Sequence, residues 1–275
     1  MTRFAPSPTG YLHLGHVVNA IYVWGVAGAL GGRVRLRIED HDRIRSRPDF
    51  EAALIEDLDW LGFVPDDGRR PLNRQSDRPQ VYEAALRQLA RDRQVYVCGC
   101  SRKEIGGERY DGRCRHRGLA SDAGTGIRLS VAPGVERADD LLLGPLEQDP
   151  SEQCGDFLLR DRDGHWTYQF SVVVDDIREG ITLIVRGADL LGSTGRQLAL
   201  ARGLGQANPP AYLHHPLIVA ATGEKLSKAA RDTGIRALRA HGFSAADVIG
   251  RAAAAVGLLP PARPLRAADV PELFT

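Results

Sequence analysis

The chain has 275 residues, 43% of them apolar and 26% charged, with a formal net charge of +1. That length builds one large core, or one α/β domain carrying a smaller insertion, and the composition is that of an ordinary globular protein. No stretch reaches the roughly 18 uncharged apolar residues of a membrane span. The near-neutral total also lacks the strong basicity by which many nucleic-acid binders are recognised.

In chain order, residues 3–5 read as a short strand or turn entry. Pro6-Ser7-Pro8-Thr9-Gly10 is a loop, because two prolines and a glycine do not continue a regular element. Residues 17–29 carry helical periodicity, and Gly31-Gly32 ends the run as a C-cap does. Residues 34–38 alternate apolar residues with arginines, which predicts a strand. Strand, loop, helix and strand in that order open a Rossmann-type, doubly wound α/β fold with a parallel sheet.

Residues 50–61 and 80–91 read as amphipathic helices. Residues 95–118, rich in Cys, Gly, Arg and Lys, read as a small stapled insertion, and the pattern stays weak to about residue 156. The α/β pattern then returns, with a buried strand expected at 181–185, a helix at 196–203 and a short strand at 218–221. The remainder reads as helical with a Pro-rich tail. The expected domains are a catalytic domain over 1–94 and 157–228, an insertion over 95–156, and a helical extension over 229–275.

Two motifs, far apart in sequence, suit phosphate. His13-Leu14-Gly15-His16 sits where the proline-rich loop meets a helix. Free N–H groups and the helix dipole favour negative charge there, and imidazole donors stabilise charge developing on a phosphoryl group. Lys225-Leu226-Ser227-Lys228 follows a glycine and offers two ammonium groups as point charges for a departing pyrophosphate. The bunched Cys98, Cys100 and Cys114 favour a metal over a disulfide framework, and three soft ligands indicate Zn²⁺ in a closed structural site. For the fourth ligand, His116 is the better donor on general chemical grounds.

Together, the His-Leu-Gly-His and Lys-Leu-Ser-Lys segments resemble the paired nucleotide signatures of class I aminoacyl-tRNA synthetases. Arg3-Phe4-Ala5-Pro6-Ser7-Pro8-Thr9-Gly10-Tyr11-Leu12-His13 is similar to the N-terminal signature of the glutamyl and glutaminyl enzymes. Arg37-Ile38-Glu39-Asp40-His41-Asp42, Asp57-Leu58-Asp59-Trp60-Leu61-Gly62-Phe63, Thr167-Tyr168-Gln169-Phe170 and the run from Val185 to Thr194 resemble further segments of that family. Ala229 departs from it, standing where a polar or basic residue is common.

The resemblance implies a glutamate pocket formed by Arg3, Phe4, Ala5, Pro6, Ser7, Glu39, Tyr168 and Arg186. Arginine forks take carboxylates bidentately, and Glu39 faces the α-ammonium. It implies ATP binding by His13, Gly15, His16, Lys225, Ser227 and Lys228, with His13, His16 and Lys228 acting in catalysis and Mg²⁺ accompanying the ATP. For the metal it implies Tyr110 as the oxygen completing the zinc set.

Fewer than fifty residues follow Lys228, too few for the family's anticodon-binding domain. In this the chain resembles the short branch of the family, which transfers activated glutamate to queuosine in the anticodon loop of tRNA(Asp). A minimal enzyme charging the tRNA 3′ end and a non-catalytic amino-acid- or RNA-binding relative are the rival readings. The N-terminus lacks the apolar core of a signal peptide, so a cytoplasmic monomer is expected.

Overall fold

The computed structural model describes residues 1–68, 73–92, 94–218 and 234–275. It divides into two compact units. The first comprises Met1–Gln75, Leu183–Asp189 and Leu213–Thr275, and the second Ser76–Thr182 and Leu190–Tyr212. Strand β1 (Thr2–Phe4), helix α1 (Leu14–Ala29), β2 (Val34–Leu36) and α2 (Pro48–Leu61) open the first unit. The second begins with α3 (Pro79–Arg91), β3 (Val95–Cys98) and α4 (Arg102–Ile105). It continues through β4 (Gly126–Leu129), β5 (Glu136–Asp140), β6 (Gly144–Gln148), α5 (Pro150–Gln153), β7 (Leu158–Arg160) and α6 (Tyr168–Arg178). Strand β8 (Leu183–Gly187) belongs to the first unit, α7 (Thr194–Gly203) to the second, and β9 (Ala211–His215) runs from the second into the first. Helices α8 (Ile235–Ala240) and α9 (Ala245–Ala255) and a 3₁₀ segment (Ala267–Phe274) complete the first unit.

In the first unit β1 pairs with β2 in parallel, Arg3 opposite Arg35. The ladder extends past the strand ends, where Arg37 N donates to Phe4 O and Glu39 N to Pro6 O, each at 3.0 Å. On the other side of β1, Leu183 N donates to Met1 O, which sets β8 alongside, and β9 follows β8 in strand order. Parallel strands joined through helices are an α/β arrangement, as the sequence predicts. Strand β9 lies just before the strand expected at 218–221. Ile218 lies outside any strand, and residues 219–221 are outside the described residues.

Helix α1 is buried nearly all round, through Val17, Val18, Ile21, Val23 and Val26 among others, as befits a helix apolar on every face. Each fully buried aliphatic side chain of this kind contributes about 1.5–3 kcal/mol. Two glycines let the 3₁₀ segment approach closely. A Cβ on Gly25 would fall 2.2 Å from the Phe274 ring, and one on Gly28 2.5 Å from Pro271. The helix ends at Ala29 with Leu30 as its C-cap, and Gly31 follows with φ +62°, the left-handed conformation that glycine adopts without penalty.

The second unit has a core of Tyr82, Leu86, Leu89, Leu159, Phe170, Val173 and Leu200 with their neighbours. Antiparallel β3, β4 and β7 form one sheet, and β5 and β6 a hairpin. Asp175, fully buried on α6, accepts from Arg78 Nη1 at 2.7 Å and from the Tyr82 hydroxyl at 2.8 Å. Arg78 also reaches Glu179 at 2.8 Å. A buried carboxylate needs such partners to stay in the fold. Cys154, outside the metal cluster of the sequence, packs in this core.

Among the described residues no helix is long and apolar enough to cross a membrane.

Candidate active site

The first unit carries most of the predicted site. His13 is the N-cap of α1 and is extended, φ −134° and ψ 174°. Its Nδ1 accepts from Gly15 N at 3.1 Å, while its own backbone N donates to His16 Nδ1 at 3.1 Å. The pair forms a capping box made of imidazoles, their rings 4.0 Å apart. A neutral imidazole that accepts at Nδ1 carries its proton on Nε2. The backbone therefore sets both rings as Nε2–H donors at a helix N-terminus, where the dipole favours anions. Burial, and then the neighbouring His13, push the His16 pKa down to about 3, so His16 is neutral at physiological pH. Gly15 has a local reason to be glycine: a Cβ there would sit 2.9 Å from His13 Cε1.

The Pro-rich loop and the end of β2 meet through the bond from Glu39 to Pro6 O. Phe4 and Pro6 are buried, whereas Ala5 and Ser7 are half-buried. Glu39 is 5% exposed, and its Oε1 accepts from Arg37 Nη2 at 3.2 Å. Residues i and i+2 of an extended chain point to one side, so Arg37 holds the carboxylate from below. Arg3 and Arg186 are each 4% exposed, and Arg3 Nη1 donates at 3.3 Å to the carbonyl of Val185, next to Arg186. Arg186 Nε in turn donates to His214 Nε2 at 2.9 Å. Two cationic forks, a held carboxylate and two imidazole donors thus lie in one unit.

Lys225, Ser227 and Lys228 lie outside the described residues. Where the description resumes, Gly234 pairs with His13, and Ile235 N donates to Leu12 O at 3.0 Å. Arg236, on α8, stacks over Tyr11 at 5.3 Å and approaches Asp57 Oδ1 at 3.6 Å. Tyr168 belongs to the second unit, half-buried as the first residue of α6.

The second unit also brings the cysteines together. Cys98, Cys100 and Cys114 place their sulfurs within 4.8 Å of one another. Cys100 Sγ and Cys114 Sγ are 3.5 Å apart, and the Tyr110 hydroxyl lies 3.3 Å from Cys98 Sγ and 3.6 Å from Cys100 Sγ. A tetrahedral zinc with Zn–S bonds of about 2.3 Å needs sulfurs roughly 3.8 Å apart, so this donor set fits the ion. His116 is exposed and is not in the cluster. Tyr110 is held by backbone bonding to Cys154 O and pairing with Gly155, and the Arg128 guanidinium lies 3.8 Å over its ring. Buried Asp156 braces the same lobe by accepting from Tyr96, from Arg115 through both oxygens, and from Val131 N.

Sequence reasoning missed Arg37, His214 and Asp156. Arg37 had a signal, its i−2 spacing from Glu39 on a strand. The other two are joined to their partners only by folding.

The model of the catalytic domain of class I tRNA synthetases (E and Q) matches residues 1–249. The chain is 44% identical over 282 residues to the glutamyl-Q tRNA(Asp) synthetase of Nitratidesulfovibrio vulgaris, covering 94% of this chain and 86% of that one. It is 43% identical to the protein of the same name from Pseudomonas aeruginosa, with the same coverage. It is 46% identical to that of Bordetella bronchiseptica, over 82% of this chain and 74% of that one. Among solved structures, a glutamate tRNA ligase from Elizabethkingia meningosepticum in complex with its amino acid superposes with a TM-score of 0.82 at 25% identity. That match covers 98% of this chain and 64% of the ligase, so the chain spans just under two thirds of that protein. The chain therefore belongs to the class I tRNA synthetases for glutamate and glutamine, in their glutamyl-Q tRNA(Asp) synthetase branch, a family of ligases.

Proposed function

We propose that this chain activates L-glutamate with ATP and transfers it to queuosine in the anticodon loop of tRNA(Asp). The observation that carries the activation step is the gathering of Arg3, Glu39 and Arg186 with the paired imidazoles of α1 in one unit. An amino acid with two carboxylates and an ammonium needs two cationic forks and one anion, and these residues supply them.

The glutamate α-carboxylate attacks the α-phosphorus of ATP, the bond to the bridging oxygen breaks, and pyrophosphate departs; Mg²⁺ would accompany the ATP and supply charge neutralisation. Arg3 and Arg186 take the carboxylates, and Glu39 takes the α-ammonium. Ser7, with the backbone of Phe4, Ala5 and Pro6, lines the pocket, and Tyr168, of the second unit, is assigned to orient the substrate from the sequence alone. His13 and His16 donate Nε2–H to the crowded phosphoryl oxygens, Gly15 keeping the ring of His13 in place. Lys225, Ser227 and Lys228 are assigned to the departing phosphates from the sequence alone. Such transfers are accelerated chiefly by positioning and electrostatics. A queuosine hydroxyl then attacks the activated carbonyl, forming an ester and releasing AMP. A single-stranded loop presents its bases outward, which suits this acceptor.

The acceptor itself comes from the relatives, three of which share 43–46% identity and one name. Zn²⁺ would be held by Cys98, Cys100, Cys114 and Tyr110 and would supply structural bracing.

The test is to incubate the purified chain with labelled glutamate, ATP and tRNA from cells with and without queuosine, and with tRNA whose 3′ end has been oxidised by periodate. Label that requires queuosine and survives a blocked 3′ end supports the proposal. Label lost with the 3′ end points to ordinary charging, and no label on any tRNA overturns the transfer step.

A further inference from the structure

On β8, Arg186 is almost entirely buried, and on neighbouring β9 so is His214, at 1% exposure. Between them runs one bond, Arg186 Nε to His214 Nε2, 2.9 Å long. A guanidinium has donors only, so His214 must present a lone pair at Nε2 and carry its ring proton on Nδ1. An imidazolium would turn an N–H toward an N–H and bring two cations together.

The position of the bond on the guanidinium matters. Nε is the atom nearest the flexible stem, and the group beyond it is planar. Fixing the direction of Nε–H therefore fixes the plane and the aim of every other N–H. Carboxylate recognition by arginine depends on that aim, because the paired bonds form only when fork and carboxylate share a plane. The main chain alone does not supply this control: a β8 backbone places Arg186 Cα, not the end of a long side chain.

We propose that His214 is a positioning residue that sets the guanidinium of Arg186 for a carboxylate of the amino-acid substrate. The inference rests on the glutamate reading above and names a residue that reading does not use. His214 is assigned to act through Arg186, so its loss is expected to act on amino-acid binding and to spare ATP binding.

The test uses glutamate-dependent ATP–pyrophosphate exchange with the full chain, comparing wild type, His214→Ala and His214→Gln. The glutamine carbonyl keeps an acceptor for Nε–H. His214→Ala is expected to raise KM for glutamate about 10- to 100-fold, the range of a lost hydrogen bond to a charged group, with KM for ATP within about twofold. His214→Gln is expected to recover most of the loss. An unchanged KM for glutamate in His214→Ala, an equal rise in KM for ATP, or no recovery in His214→Gln overturns the inference while leaving glutamate activation standing. Absence of exchange in the wild type overturns the glutamate reading itself. Should His214→Ala fail to fold, the histidine side-chain ¹⁵N spectrum of the wild type decides. His214 as a neutral Nδ1–H tautomer whose Nε2 signal moves on adding glutamate supports the inference, and a proton on Nε2 overturns it.

Discussion

The backbone N–H of His13 donates to Nδ1 of His16, so one helix N-terminus sets both signature imidazoles. Capping and chemistry are thereby combined in the same two side chains, and substitution separates them. Asparagine is a good N-cap, while alanine loses about 1 kcal/mol there. His13→Asn is expected to keep the thermal midpoint within about 2 °C but to lower the pyrophosphate-exchange kcat roughly 100-fold, the scale of losing one donor to a developing charge. His13→Ala is expected to lose both stability and rate. Circular dichroism melts beside exchange rates check this. An asparagine variant with wild-type kcat would show that the ring serves the helix alone.

Asp57 of α2 is fully buried, and neither of its carboxylate oxygens accepts a hydrogen bond among the described residues. Burial pushes its pKa up from 3.8 to about 6, with Arg236 opposing the shift. Between those values the folded chain holds a proton that the unfolded chain has given up, so stability falls as pH rises through that window. Above it the buried charge costs up to about 3 kcal/mol. Asp57→Asn is therefore expected to raise the midpoint at pH 8 by several degrees and to leave it unchanged at pH 3.5. A midpoint unmoved at pH 8, or lowered, contradicts the assignment.

The second unit's thiol cluster makes a prediction about metal content. Zinc analysis is expected to find about one ion per chain, lost in Cys98→Ser, Cys100→Ser and Cys114→Ser. Tyr110→Phe is expected to release the ion at a lower chelator concentration, and His116→Ala to behave as wild type. A zinc-free wild type purified without chelator, or loss of metal in His116→Ala, would reverse the choice of ligands.

Gly155 has φ +62°, and a Cβ there would fall 1.9 Å from the carbonyl oxygen of Tyr110. Gly155→Ala is expected to displace Tyr110 and lower both midpoint and zinc retention, with a cost of about 1–3 kcal/mol. Tyrosine fluorescence and metal release on titration with chelator read the two effects. A variant that melts and holds zinc like wild type would mean that the Tyr110 backbone moves freely.

Much of this was legible in the sequence because it is written locally. The helix of α1 follows from a long apolar run, interrupted by Asn19, that ends at a glycine pair, and β1 and β2 from short extended segments around it. The imidazole pair, the arginine at the N-terminus and the cysteine spacing are visible as motifs. Long-range pairing is not. His214 was an ordinary histidine until β9 came to lie beside β8, and Asp57 read as part of a motif rather than as a carboxylate without hydrogen-bonded partners among the described residues. Strand β9 went unread in the sequence because it includes two histidines, which mask its apolar character although both are buried.

The central claim is that guanidinium forks and an imidazole cradle form an adenylate from glutamate. Glutamate-dependent ATP–pyrophosphate exchange by the purified chain, run without tRNA and beside glutamine and aspartate, measures it directly. Exchange that needs glutamate, and that falls at least 100-fold in Arg186→Ala with the fold intact, is the expected result. No exchange with glutamate, or equal exchange with Arg186 removed, would contradict it.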